Sequence, residues 1–521
     1  MGRIRFRNDI YKQAALISII ILFAFVLRFV NLGYSNYQRE ETRAMFLKGK
    51  NQSSIEFLLD QRKGPAQFLV SRVVQVINPS YQNQFISRLP FAAASFLSVI
   101  FFFLFVKNLY NDLIAFFSTF FFATNGIIVG LSRIVQYQSL VFFFTTLTLA
   151  SLVFALKKPK FHVWGLYIGM VSWALALLSH YDGIFIAPMV IYLIYRWIKE
   201  SAIDLKEKYI HLIISSAISI SLVAAFYIPF IFSITQSTLS YFVSRVQVNP
   251  LEHKSGSIII FNGYQPIFAF YLYLGLAVAG FFAVGLSALK LKGFLGEIFK
   301  NIPGILTVNN LRTSYILVIW FLFPFVALEV IADDPGTHIY NYLIPLFIIM
   351  GIGIWYILPL INLFMRQTPS RVVYFAGLSF IFFLLFTQSY QIFVDHRREY
   401  PWESKKYLFW DIELPYKIRL PLYGFPYYRN WEGISRYLAA RPERMRYVSN
   451  EKKEITSYYL PDQRGKKKYM YIIYIRSPQI RVEDMVPEFS KLFRNETPIY
   501  TFEKNSQIYS AVFRVRRNYF D

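Results

Sequence analysis

Two consecutive acids, Glu40 and Glu41, sit between Arg39 and Arg43 in a stretch running from about Tyr34 to Pro65. The same stretch closes with Arg62-Lys63-Gly64-Pro65. Paired carboxylates can act as a general base or hold a divalent cation, and a lysine can meet charge growing on an anionic leaving group. The plainer reading is a solvated loop, since charged side chains are mostly exposed. If the acidic piece is helical, Glu40 and Arg43 are i,i+3 neighbours and Glu41 turns about 100° away. A neighbouring cation would keep Glu40 ionised, as a base must be.

The elements that must position these groups are apolar. The 521 residues are 55% hydrophobic and 19% aromatic, above the roughly 45–50% apolar content of soluble domains. Runs of 18 or more apolar residues recur, each long enough to cross about 30 Å of hydrocarbon. After a basic start (Arg3, Arg5, Arg7, Lys12), the first runs from about 14 to 30 and reads as an uncleaved span. Further spans are expected near 86–106, 112–129, 136–156, 162–179, 183–198, 208–235, 264–289, 313–332, 338–361 and 371–394. That is a polytopic α-helical membrane protein with about eleven transmembrane helices. The net charge of +24 then reports basic cytoplasmic loops and anionic headgroups rather than nucleic acid. With no cysteine, disulfides, thiolate metal sites and cysteine nucleophiles are excluded.

Loop charges orient the bundle. With the N-terminus inside, the connections at Lys107-Asn108, Lys157-Lys158-Pro159-Lys160, Arg196 to Lys208, Lys290 to Arg312 and Arg366 to Arg371 are all inner and all basic. The connections around Arg133, around His180-Tyr181-Asp182 and at Asp333-Asp334 are outer and poor in Lys and Arg. A membrane domain spanning 1–395 therefore carries a first outer loop at 34–85. Apolar residues at Ile55, Phe57, Leu58 and Leu59, and again at Phe68, Leu69, Val73, Val74 and Val76, suit interfacial helices within that loop. From 396 to 521 the pattern turns charged and alternating. A helix over Trp431–Arg441 and strands over Tyr469–Ile475 and Ile508–Val515 predict a small outer α/β domain.

On this topology the polar residues collect on the outer face: Glu40, Glu41, Arg43, Lys63, Arg88, Ser132-Arg133, Gln136-Tyr137-Gln138, His180, Asp182, Glu329, His338 and Tyr340. An outward site between helix ends follows. Alternatives stand beside it. Arg88 and Arg133 could snorkel to headgroups, and His180 and Asp182 could be a local helix-end pair. A metal set drawn from Glu40, Glu41, His180, Asp182 and His338 has no diagnostic spacing.

Glu40-Glu41-Thr42-Arg43 resembles the Asp-Glu-(Thr-Arg) signature of GT-C glycosyltransferases, most like protein O-mannosyltransferases and lipid A aminoarabinose transferases in pattern. Arg62-Lys63-Gly64-Pro65 is similar to the Lys-Pro element that follows in those families, as are Arg88-Leu89-Pro90 and Ser132-Arg133-Ile134, read as opening the fourth span. Two departures stand out: Glu40 replaces the usual first Asp, and Gln138 replaces an acid that relatives often carry.

The resemblance implies an enzyme of the cytoplasmic membrane. It would pass a sugar from a polyprenyl-phosphate carrier to a lipid, glycan or protein acceptor outside, inverting the anomeric centre. Glu40 would be the base and Glu41 would orient it or bind acceptor. Lys63, with Arg133 and Arg43, would meet the donor phosphate, and Arg88, Gln138, His180, Asp182, His338 and Tyr340 would line the substrate site. No cofactor is fixed, and a divalent cation (Mg2+ or Mn2+) at Glu41 and Asp182 stays open. A transporter of an anionic solute and a non-catalytic scaffold of the same fold are the rival readings. Neither an internal repeat nor many mid-membrane ionisable residues supports the transporter.

Overall fold

The computed structural model describes residues 17–245, 256–266, 268–289, 308–332, 335–364, 367–397, 399, 405–407, 410–412, 423–441, 446–460, 469–479 and 488–516. The basic residues Arg3 to Lys12, Asp333-Asp334 and most of the stretch Lys290 to Arg312 lie outside that set.

Apolar runs become helices because hydrocarbon offers the backbone no hydrogen-bond partner outside the segment itself. Among the described residues, eight helices are long and apolar enough to cross a membrane, and up to ten spans result if each of two bent pairs counts once. The described part of the first apolar run is α1, Ile17–Phe29. Eight to ten spans among the described residues stand beside the expected eleven. The segment expected as one span over 112–129 is in fact bent by 58° between α6 (Asp112–Thr124) and α7 (Gly126–Ser132). Asn125 makes the break: its backbone leaves the helical region, and its side-chain oxygen accepts from the N–H groups of Ile127 and Ile128, capping α7. Ser132-Arg133 thus ends α7 rather than opening the next span, which is α8, Tyr137–Lys157.

Between α1 and α5 (Gln84–Leu109) the loop folds into α2 (Arg39–Ala44), α3 (Ser54–Leu59) and α4 (Ala66–Ile77). Along α4, Phe68, Ser71 and Val74 are buried while Leu69, Val73, Val76 and Ile77 are exposed. An apolar face turned outward on a loop helix suits the membrane interface.

The C-terminal residues build an antiparallel pair, β1 (Lys405–Tyr407) and β2 (Trp410–Ile412), and a four-stranded sheet in the order β3 (Tyr447–Ser449), β4 (Tyr469–Ile475), β6 (Gln507–Arg516), β5 (Tyr500–Lys504). β3 runs parallel to β4, and the other pairs are antiparallel. Period-two alternation splits β4 between two cores. Met470 and Ile472 pack with Phe489 and Leu492 on one face. On the other, Tyr471, Ile473 and Ile475 join Trp431, Ile434 and Leu438 in one cluster with Tyr37, Met45, Val74 and Phe91. The loop and the sheet share that core, so they lie on one side of the bundle.

The connection is threaded as well as packed. Asn36 donates its N–H to Tyr427 O at 2.9 Å, its Oδ1 accepts from Arg429 N at 2.7 Å, and Tyr37 N donates to the Tyr459 hydroxyl at 2.8 Å. Gly424, at φ +88°, passes so close to Gly130 O that a Cβ would sit 2.1 Å away. Only glycine combines that conformation with that approach.

Candidate functional site

α2 presents its two acids in opposite senses. Glu41 is fully buried, and its carboxylate forks onto Arg88 of α5: Nε to Oε1 and Nη2 to Oε2, each 2.8 Å. Oε1 also accepts from Val135 N at 3.0 Å and Oε2 from Gln38 N at 2.9 Å. Arg88 spends its remaining N–H groups on the carbonyls of Leu32, Ser35 and Asn36, each at 3.0 Å. Four acceptor sites and five donors are therefore used up. Glu41 has no lone pair left for a metal or an acceptor, and Arg88 has no donor left for a substrate. Both hold the loop in place.

Glu40 faces the other way and keeps 20% of its side chain exposed. Lys63 Nζ lies 3.2 Å from Oε2, and Arg43 approaches Oε1 at 3.4 Å across one helical turn. Gln136, at the start of α8, clamps both partners. Its Oε1 accepts from Lys63 at 3.3 Å, and its Nε2 donates to Glu40 O and Oε2 at 3.2 and 3.4 Å. Burial would push the Glu40 carboxyl up, but Lys63, Arg43 and Arg39 outweigh it and hold the group below its usual value. For Lys63 burial dominates and lowers the ammonium, with Glu40 opposing. Glu454, from the helix Lys453–Tyr459 of the C-terminal sheet domain, accepts from Arg43 and, at 3.1 Å, from Arg39.

Lys63 is brought to the helix ends by its neighbour. A Cβ on Gly64 would lie 2.0 Å from Leu178 O, so the loop packs there backbone to backbone. Just beyond Leu178, His180 ends the helix His162–Ser179 and stacks on Tyr137, with centroids 4.0 Å apart and planes within 9°. Lys63 Nζ sits 5.0 Å from the same ring. His180 Nδ1 lies 2.9 Å from Asp182 Oδ1, and His338 Nδ1 lies 2.7 Å from Asp182 Oδ2, which also accepts from the Tyr340 hydroxyl. Two His and one Asp thus place three ligand atoms within 4.8 Å of one another, a set that could hold a metal ion.

Two expected residues take other places. Arg133 donates to the carbonyls of Leu27 and Val30 at 2.8 and 2.9 Å, covering the C-terminal end of α1. Gln138 is buried on α8, and its Oε1 has no partner among the described residues. Gln136 and Tyr137 stood in the outer-face polar set with no role given to them, and Glu454 had no local signal. Arg28 was missed too: fully buried, it donates to Ser95 Oγ at 3.1 Å and to Ala123 O at 3.0 Å. A lone arginine closing an apolar run was its only trace.

Residues 63–228 match the family model described as dolichyl-phosphate-mannose-protein mannosyltransferase. Across whole structures, the chain is similar to ArnT from Cupriavidus metallidurans in its apo state, at 12% identity and a TM-score of 0.48, covering 96% of this chain and 98% of that one. It is similar also to the oligosaccharyltransferase AglB from Archaeoglobus fulgidus in complex with an inhibitory peptide and a dolichol-phosphate, at 11% identity and a TM-score of 0.49, covering 96% and 74%. With the S. cerevisiae Pmt1-Pmt2 complex bound to the sugar donor the likeness covers 49% of this chain and 36% of that one, at 14% identity and a TM-score of 0.33. No curated protein matches the chain in sequence. The resemblance to GT-C glycosyltransferases drawn from the loop motifs is borne out, and the chain is an integral membrane protein.

Proposed function

We propose that this chain is a membrane glycosyltransferase that moves a sugar from a polyprenyl-phosphate carrier to an acceptor hydroxyl or similar nucleophile on the outer face, with inversion. The observation that carries it is the Glu40–Lys63–Gln136 cluster, in which a half-buried carboxylate touches a half-buried ammonium. Glu40 and Lys63 belong to the stretch that resembles the family's acidic and Lys-Pro motifs; Lys63 is the first residue of the matched region and Gln136 lies inside it.

The chemistry follows from the groups. The acceptor O–H gives its proton to Glu40 as its oxygen attacks the anomeric carbon. The bond from that carbon to the phosphate oxygen breaks on the opposite side, so the configuration inverts. Oε1 is the freer oxygen, touched among the described residues by Arg43 alone, at 3.4 Å. The departing phosphate gains negative charge, which Lys63 and Arg43 meet. Before donor binds, Lys63 and Glu40 satisfy each other, and the arriving phosphate competes for Lys63. Arg88 and Glu41 anchor the loop through this exchange, while Tyr137, Gln138 and the His180 cluster border it.

The test supplies purified protein with a panel of radiolabelled polyprenyl-phosphate sugars and candidate acceptors, and reads the product's anomeric configuration by NMR. Transfer with inversion supports the reading. A product that retains the donor's configuration, or transport of the label across sealed vesicles with no new glycosidic bond, overturns it.

A further inference from the structure

We propose that His180, Asp182 and His338 form a binding site for a transition-metal dication of the Zn2+ class, one that discriminates against Mg2+. The inference stands apart from the glycosyl-transfer reading and needs neither Glu40 nor a donor.

Two separate pieces of chain build the cluster. His180 caps the C-terminal end of one helix, Asp182 lies in the 3-10 turn that follows, and His338 comes from the turn preceding the helix Tyr340–Phe364. The Asp182 carboxylate is completely buried and the His180 side chain is 3% exposed, while His338 keeps 25% of its surface open. The site is thus closed on one side and reachable from the other.

Hydrogen bonding does not fully account for it. On one side the arrangement closes: Oδ2 faces His338 Nδ1 and accepts from Tyr340. On the other side, His180 Nδ1 accepts from the backbone N–H of Asp182 at 3.2 Å, which requires a lone pair on that nitrogen. Asp182 Oδ1 lies 2.9 Å from that same nitrogen, and with the lone pair so used it accepts from no donor among the described residues. Two lone pairs therefore converge on one buried space. A proton on Nδ1 would satisfy Oδ1 but orphan the backbone N–H, and an unpaired buried amide is costly. A cation between nitrogen and carboxylate satisfies both.

The donor set selects the ion. Two imidazole nitrogens and one carboxylate suit Zn2+ and its first-row neighbours, whereas Mg2+ prefers oxygen and gives up water reluctantly. Bonds of about 2.0–2.1 Å in a tetrahedron set ligands roughly 3.3 Å apart. The 2.7 and 2.9 Å separations, each to a different oxygen of Asp182, would open by a few tenths of an ångström, while the set as a whole, within 4.8 Å, would draw in around the ion. Three protein ligands leave a fourth position for water or substrate on the His338 side, and the Tyr340 hydroxyl braces the carboxylate from outside the set. Tyr137 joins this cluster to Lys63, so an ion here would border the Glu40 site through one shared ring.

The experiment uses the full chain without a polyhistidine tag, in nanodiscs, stripped with chelator and then titrated with ZnCl2 against a chromophoric zinc indicator. CoCl2 serves as the spectroscopic substitute. One Zn2+ per chain is expected, with a cobalt d–d spectrum of low-coordinate N/O type, and Mg2+ should compete at least about 100-fold more weakly. Asp182→Asn keeps the shape and should weaken zinc by at least about 100-fold, as should His338→Gln at the half-open rim. Melting temperatures of the metal-free variants report whether each is folded, and His338→Gln, with its partly exposed side chain, provides a readable result even if Asp182→Asn unfolds. Glu40→Gln should bind zinc as the parent does, whatever happens to its activity. Zinc binding retained by His338→Gln, no stoichiometric zinc on the parent, or equal affinity for Mg2+ would each overturn the assignment.

Discussion

Lys63 Nζ and Glu40 Oε2 rest 3.2 Å apart, with Gln136 bonded to both. The pair neutralises itself while the site is without donor, so neither charge is left facing the membrane surface alone. Lys63→Ala should therefore reduce transfer at limiting donor by the equivalent of about 2–4 kcal/mol. Lys63→Arg should recover only part, since a planar fork replaces a point charge. Initial rates across donor concentration check this, and full activity of Lys63→Ala at limiting donor would remove Lys63 from the mechanism.

Glu40→Gln and Glu41→Gln should fail differently. The first keeps the fold and donor binding but loses transfer by about 10²–10⁴-fold, the worth of a general base. The second leaves Arg88 buried without its counter-charge, a loss of about 3–5 kcal/mol in stability, read as a lower melting temperature and poor yield. If Glu41→Gln melts like the parent and alone abolishes transfer, the two roles are exchanged.

The acid limb of the pH–rate profile should report Glu40. Its folded carboxyl lies below the ordinary value, so the base is ionised through the neutral range and is lost only as pH falls through that lowered value. Arg43→Gln removes one of the cations responsible, so the limb should move to higher pH by about half a unit, given that a half-exposed pair is worth ~0.2–1 kcal/mol. No movement, or movement to lower pH, would mean that another group sets the limb.

Much of this was legible in the sequence, for physical reasons. Apolar length alone announces a spanning helix, and alternation announces the sheet, so β4 falls on Tyr469–Ile475 as the pattern had it. The i,i+3 spacing placed Arg43 beside Glu40 and sent Glu41 away. What could not be read was who meets whom across the chain. Arg88 looked like a substrate-site residue or a headgroup anchor because nothing local says that five acceptors wait for it. Arg133 looked like a phosphate ligand, yet it covers the end of α1. The bend at Asn125 escaped because both of its arms are equally apolar.

The loop and the sheet domain share a side, and the outer assignment can be checked directly. The chain has no cysteine, so single-Cys variants at the exposed positions Asn51 and Asn505 label cleanly. Both should react with an impermeant maleimide on intact cells. Protection of both would put the site inside, and reaction of one alone would break the shared placement.

Glu399 offers a test of how the C-terminal domain is held. Its buried carboxylate accepts from Arg429 at 2.6 Å, Lys504 at 2.9 Å and Tyr34 at 2.5 Å. Glu399→Gln strands two cations around a neutral amide and should cost about 3–5 kcal/mol. Limited proteolysis within 423–516 should accelerate accordingly. Unchanged cleavage would mean that packing around Trp431, rather than this ion cluster, fastens the domain.

The bridge from Arg43 to Glu454 spans 411 residues of chain. At a synthesis rate of about 5–20 residues per second, the first loop is outside the ribosome for roughly 20–80 seconds before its partner exists. Asn36 and Tyr37 wait nearly as long for Tyr427 and Tyr459 to accept from their backbone N–H groups. The Arg88 fork can hold the acidic helix well before then, but Arg39 and Arg43 gain Glu454 only when the C-terminal domain is made, so a chain released early carries the motif without that brace.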